Sequence, residues 1–204
     1  MDIGSLTAWM NEDRNGLVRL ASGSRPVPVG ESADELELDL AGDGDDGSRW
    51  HFRLRCLDVR DWDLRSCVAD PLEWTDDHPV LWRFSSAPEN LHFLAPATDP
   101  FAVIGRLWIA HESKANGWLE LRDHLNDGGH LGHEWLLRQP QGLLASGPRA
   151  LIDVYATALD GVLDFHRTPA VRREYDPNSG LRALVFDASY VVCRDVVVQR
   201  ISPT

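Results

Sequence analysis

Two short stretches of the chain alternate strictly between apolar and polar residues. In ELELDL (35–40) Leu36, Leu38 and Leu40 share one face, and in RWHFRLR (49–55) Trp50, Phe52 and Leu54 do the same. Alternation with a period of two marks a strand with one buried face. The intervening AGDGDDGS (41–48) is made of turn formers, so the two strands are predicted to pair as an antiparallel hairpin over 35–55. Setting partners so that residue numbers sum to 90 places Leu40 on Trp50, Leu38 on Phe52 and Leu36 on Leu54. The opposite face then pairs Asp39 with His51, Glu37 with Arg53 and Glu35 with Arg55. Complementary cross-strand pairs of this kind stabilise a sheet by roughly 0.2–1 kcal/mol each. The apolar positions change phase between Cys56-Leu57 and Trp62-Leu64, which predicts a bulge or tight bend near 56–61.

Further strands are expected at VLWRF (80–84), NLHFLAP (90–96) and FAVIGRLWIAH (101–111). A C-terminal hairpin is expected over 183–200, turning at Asp187, Ala188 and Ser189. Helical spacing appears between these regions. GWLELRDHLN (117–126) sets Trp118, Leu121 and Leu125 on one stripe, and 131–138 could form a short helix before Pro140. In PRALIDVYATALDGVLDFH (148–166), Leu151, Val154, Tyr155, Ala158, Leu159 and Val162 follow the i, i+3, i+4, i+7 rule, with Pro148 in the first turn. QGLLASGP (141–148) and 167–180 read as loops. The expected fold class is therefore α+β. An antiparallel sheet (hairpin 35–55, strands to 111, C-terminal hairpin 183–200) packs on a main helix at 148–164 and one or two shorter helices. Residues 1–204 are expected to form a single domain, with 1–30 as a loosely packed N-terminal arm.

Composition narrows the class. The 204 residues are 43% hydrophobic and 25% charged, the balance of an ordinary globular chain. Eight tryptophans make it tryptophan-rich, which predicts a heavily aromatic core or an adhesive face. Cys56, Cys67 and Cys193 are scattered and match no metal-finger or disulfide spacing. The start, MDIGSLTAWM, has no secretory pattern, and no apolar run reaches the ~20 residues of a membrane helix, so a cytoplasmic protein without a membrane partner is expected. Lys114 is the only lysine beside nineteen arginines, a ratio that fits GC-rich bacterial coding. The formal net charge is −12, and residues 1–48 hold 11 acids against 3 arginines. Such a field repels nucleic acid and anionic lipid; a macromolecule that it attracts is basic.

The most chemical stretch is HLNDGGHLGHEW (124–135). Zinc needs three or four converging ligands, and His124, His130 and His133, with His111 as a possible fourth, are the candidate metal ligands. The order HxxHE departs from HExxH and HxxEH, and Glu134 is placed instead to pair with Arg138 at i, i+4. The glycines read as a break between two helices, with Asn126 and Asp127 as turn residues. The loop carrying Asp43, Asp45 and Asp46 fails the calcium-loop pattern, because Gly47 and Ser48 fall where a ligand and the glycine belong. No catalytic residue, nucleotide motif or cofactor is assigned. The leading expectation is a non-enzymatic, immunity- or antitoxin-like module that binds a basic protein through Asp43, Asp45, Asp46, Trp62 and Trp74. The alternatives are a metal-dependent hydrolase using the 124–134 cluster and a structural subunit of a larger assembly.

Overall fold

A computed structural model of the chain describes residues 1–12, 19–20, 35–43, 49–66, 68–69, 71–115, 117–171, 175–176 and 178–201. In chain order the elements are α1 (Ile3–Glu12), β1 (Arg19–Leu20), β2 (Glu35–Asp43), β3 (Arg49–Leu57), β4 (Asp61–Asp63) and β5 (Leu72–Thr75). Next come α2 (Trp82–Ser85), β6 (Pro88–Phe93), α3 (Pro100–Ala115), α4 (Gly132–Leu137), β7 (Gly142–Pro148) and α5 (Arg149–Leu159). The chain closes with β8 (Phe165–Pro169), β9 (Arg182–Phe186), β10 (Ser189–Cys193) and β11 (Asp195–Ile201). The fold is α+β, and every strand pairing is antiparallel. Backbone contacts resolve it into two compact units, residues 1–78 with 180–204 and residues 79–179. Nothing in the composition around residues 78 and 180 marks a boundary within the single domain expected.

The first unit contains two four-stranded sheets, ordered β1-β2-β3-β11 and β4-β10-β9-β5. Both feed one core, in which Leu36, Leu38, Leu40, Phe52 and Leu54 meet Leu72, Leu184, Phe186 and Val191. Residues 3–12, expected to lie in a loose arm, form a helix that buries Ile3, Leu6 and Met10 in this core. Trp9 packs edge-on against Trp50 and Phe52, at 5.5 and 5.8 Å between ring centres.

The hairpin forms with its faces as predicted but with a register two residues away. Partners sum to 92, so Leu40 faces Phe52, Leu38 faces Leu54, and Trp50 lies opposite Gly42. The ring of Trp50 occupies the space over Gly42, where a Cβ would sit 2.2 Å from Cζ2. A two-residue shift preserves both faces, so alternation cannot distinguish the registers. The expected charge partners still meet, now along diagonals: Arg55 to Glu35 at 2.6 Å, His51 to Asp39 at 3.8 Å and Arg53 to Glu37 at 4.0 Å. Arg53 also takes Asp39 directly across the ladder with two hydrogen bonds, at 2.8 and 3.1 Å. The predicted bend lies just past Leu57, where Asp58 adopts φ 53° before β4 begins.

The second unit packs a three-stranded sheet, β7-β6-β8, against α5, and α3 packs on α5 within the same core. Several expectations fail here. The stretch 101–111 is a helix, not a strand. Asp99 caps it by accepting the N–H groups of Phe101 and Ala102 at 3.0 and 3.1 Å, and Pro100 fills a first-turn position that needs no N–H. Its buried positions, Val103, Leu107, His111 and Ala115, recur every fourth residue. Residues 79–85 are also helical, where a strand was expected. Residues 117–126 form turns around a short 3-10 segment, because Gly117 at φ 75° leads the chain away from α3. Residues 142–148 form β7 rather than a loop. Their glycines permit close approach, since a Cβ on Gly142 would meet the Phe93 ring at 2.9 Å. The 148–164 helix stops at Leu159, with Gly161 at φ 68° just beyond it. The C-terminal hairpin is present as β9 and β10, and β11 adds a third strand that returns to β3.

One ion cluster ties three elements of this unit together. Glu89 of β6 is buried and accepts hydrogen bonds from Arg149 of α5 at 2.7 Å and Arg167 of β8 at 2.6 Å, while Arg167 also reaches Asp153 at 2.6 Å. Burial pushes the Glu89 carboxyl up, but the two guanidinium groups outweigh it and hold the carboxyl below its ordinary 4.5. The folded state therefore ionises at lower pH than the unfolded chain. The resulting stability is complete above about pH 4.5 and is lost as pH falls through the lowered value. Glu89→Gln is expected to destabilise the protein at pH 7 and to flatten its loss of stability on acidification. Urea midpoints measured from pH 7 to 3 check this, and parallel curves for both proteins would contradict it.

Candidate functional site

The longest helix of the second unit carries two apolar stripes. One, through Val103, Leu107, His111 and Ala115, is buried. The other, through Phe101, Ile104 and Trp108 at i, i+3 and i+7, opens to solvent, with Phe101 71% and Trp108 59% exposed. Ile109, also exposed, projects about 100° round the helix from Trp108 and lies off this stripe. Along this second stripe runs a groove of about 520 Å³, walled on one side by Ile104, Trp108 and Glu112. Leu119, Leu121 and Leu125 form its other wall, and His133 closes one end. Its charged rim is Glu112, Glu120 and Asp127 against Arg122, whose guanidinium is 4.0 Å from Asp123.

The second wall has little regular structure, so what holds it decides whether the groove exists. His111 is fully buried on α3, and its Nε2 lies 2.6 Å from the Leu119 carbonyl oxygen. A carbonyl only accepts, so Nε2 carries the proton; Nδ1 then accepts from the Tyr155 hydroxyl at 2.8 Å. Burial pushes the Tyr155 phenol far above its usual range, which keeps it a donor. The far end of the wall is fastened to β7. Leu125 bridges Ala145, the Asn126 N–H donates to Leu144 O at 2.9 Å, and the Asn126 amide donates to Leu143 O at 2.9 Å. His124 donates from Nδ1 to Ser146 O at 3.2 Å, and His133 from Nδ1 to Asn126 O at 3.1 Å.

The predicted metal ligands are thus used differently. His124 and His133 hold the chain against β7 and α4, while His130 is exposed in a 3-10 turn whose Gly128, Gly129 and Gly132 all take positive φ. The ring centres of His111 and His124 lie 6.4 Å apart. Among the described residues no three His, Cys, Asp or Glu side chains converge as a metal would require. The expected Glu134–Arg138 pair is present at 2.7 Å. Asn126 and Asp127 accept the N–H groups of Gly128 and Gly129, as turn residues do.

Trp62 and Trp74, two of the predicted protein-binding residues, lie apart. Trp62, Val191, Leu184 and Trp74 form one cross-strand row. The two tryptophans therefore sit on opposite edges of a four-stranded sheet, with two buried residues between them. Trp62 is exposed, whereas Trp74 is half-buried with the Arg182 guanidinium 5.8 Å from its ring centre. Asp43 ends β2 opposite Arg49, and its side chain, with Asp45 and Asp46, lies outside the described residues. Cys56 and Cys193 are buried neighbours, and the contact with Cys193 together with burial holds the Cys56 thiol well above its usual range. Phe101, Ile104 and Trp108 were missed as a surface because 101–111 read as a strand. Asp99-Pro100 and the fourfold spacing from Val103 were the signals for a helix.

Compared with known proteins, the chain matches no family model, no curated protein and no solved structure.

Tyr155→Phe leaves the buried Nδ1 of His111 without a donor. It is expected to cost about 1–3 kcal/mol, the desolvation penalty of an unpaired polar group. Urea denaturation at pH 7 measures this, and an unchanged midpoint would contradict the assigned role.

Proposed function

We propose that this chain is a non-enzymatic protein-binding module whose binding face is the outer stripe of α3 with the groove beside it. The observation that carries the reading is an apolar groove walled by Ile104 and Trp108, with Trp108 exposed and Phe101 exposed on the same helical stripe one turn before Ile104. Single exposed apolar residues need no explanation, but a tryptophan and a phenylalanine on one helical stripe beside an apolar groove do. Tryptophan is among the residue types that dominate binding energy at protein interfaces. The groove volume alone would also suit a small molecule. The apolar surface continues past the groove along α3, beyond what a small ligand would cover, and this favours a macromolecule.

The partner is a basic protein, because the chain carries a net charge of −12 and the groove rim is mainly acidic. An immunity- or antitoxin-type inhibitor is the concrete form of this reading. The binding surface nevertheless moves from Trp62, Trp74 and the 43–46 loop to α3. No helix among the described residues is long and apolar enough to cross a membrane.

Trp108→Glu puts a charge at the centre of this face without touching the core. Tagged wild-type chain expressed in its native host is expected to retain a stoichiometric partner. The variant should lose it by roughly 30-fold or more, as expected for a hot spot worth about 2 kcal/mol, while Trp62→Glu retains it. Quantitative mass spectrometry of the captured proteins reads the result. Equal capture by the Trp108 variant, or no partner at all, would overturn the proposal.

A further inference from the structure

We infer that the occupant of the α3 groove is an amphipathic helix of the partner, apolar on one face and flanked by arginine or lysine; this rests on the protein-binding reading above. The geometry limits how a chain can dock. Neither wall of the groove is a strand: one is α3 and the other is the turn and 3-10 segment 117–125. The groove lining therefore provides no ladder of backbone N–H and C=O groups for an added strand, and recognition must run through side chains. Ile104 and Trp108 on α3 face Leu119, Leu121 and Leu125, giving an apolar trough flanked by polar residues. An apolar face with i, i+3, i+4, i+7 spacing fits such a trough, and a polyproline segment or loop would fill it less continuously. From Phe101 to Glu112 the stripe runs about 16 Å at 1.5 Å per residue, enough for about three turns of a docked helix.

Charge selects among the possible helices. Glu112, Glu120 and Asp127 stand on the rim, and its one arginine, Arg122, faces Asp123. Basic residues flanking the apolar face of an incoming helix meet these carboxylates, whereas acidic ones are repelled. The same argument disfavours a second copy of this chain, since two protomers of net charge −12 would bring like-charged rims together.

The test titrates the full chain with three synthetic peptides of about 18 residues, five helical turns. One places leucines at i, i+3, i+4 and i+7 with lysines elsewhere. The second replaces those lysines by glutamates, and the third scrambles the first so that no apolar face forms. Isothermal titration calorimetry is expected to show the first peptide binding at least roughly tenfold tighter than either of the others. Trp108→Ala should weaken it about tenfold, and the triple variant Glu112→Gln, Glu120→Gln, Asp127→Asn should reduce both its affinity and its salt dependence. Comparable binding of the scrambled or acidic peptide, or an unchanged affinity with Trp108→Ala, would overturn the inference. A solution mass of twice 22.8 kDa that reverts to one chain in Trp108→Glu would also overturn it, by naming a second copy as the occupant. If native partner capture depends on Trp108 but the basic peptide does not bind, the helix inference fails and the binding face stands. If capture is independent of Trp108, the binding face itself falls.

Discussion

The second unit depends on one buried imidazole. His111 sits inside the apolar seam of α3, accepts a hydrogen bond from Tyr155 of α5, and donates one to the carbonyl of Leu119. Each of its two nitrogens is committed, and each to a different part of the chain. A buried polar group is stable only when satisfied in this way. The ring adds a polar tie between two helices that share one apolar core through Val103, Leu107, Leu151 and Ile152, and it carries that tie on to Leu119. Without it, the second wall of the groove would retain its attachment to β7 through Leu125 and Asn126 and the Trp118 N–H bond to Ala115 O at the end of α3, but Leu119 would lose its hydrogen bond to His111.

Two of the three histidines of 124–135 also serve structure, by a common device. His124 and His133 each donate from Nδ1 to a backbone carbonyl, which pins irregular chain that has no ladder of its own. Three glycines with positive φ let that chain turn sharply enough for the bonds to form. A spacing that suggests a metal centre can therefore arise from the demands of a compact loop.

Legibility followed the strength of the local pattern. The 35–55 hairpin was legible because alternation fixes which face is buried, yet its register was not, since Trp50 over Gly42 is a packing choice that period two cannot express. The 148–159 helix was legible because its apolar positions repeat over three turns. α3 was not, because residues 101–109 are apolar on both its buried and its open sides, and a run without a clear polar face resembles a buried strand. β7 was hidden for the opposite reason: Gly142 and Gly147 look like loop residues, but they are there to admit Phe93 and His124. Reading 101–111 as a strand also hid the groove beside α3. The tryptophans expected to bind, Trp62 and Trp74, end opposite sides of one sheet row, while Trp108 lines the groove beside α3.

The central claim is that α3 and the segment after it form the contact surface. Hydrogen–deuterium exchange of the full chain, with and without its co-purified partner, tests it most directly. The account predicts slowed exchange across 101–112 and 117–127 on binding, with 35–43 and 61–75 unchanged. Protection confined to 35–43 or 61–75, with α3 unaffected, would contradict it.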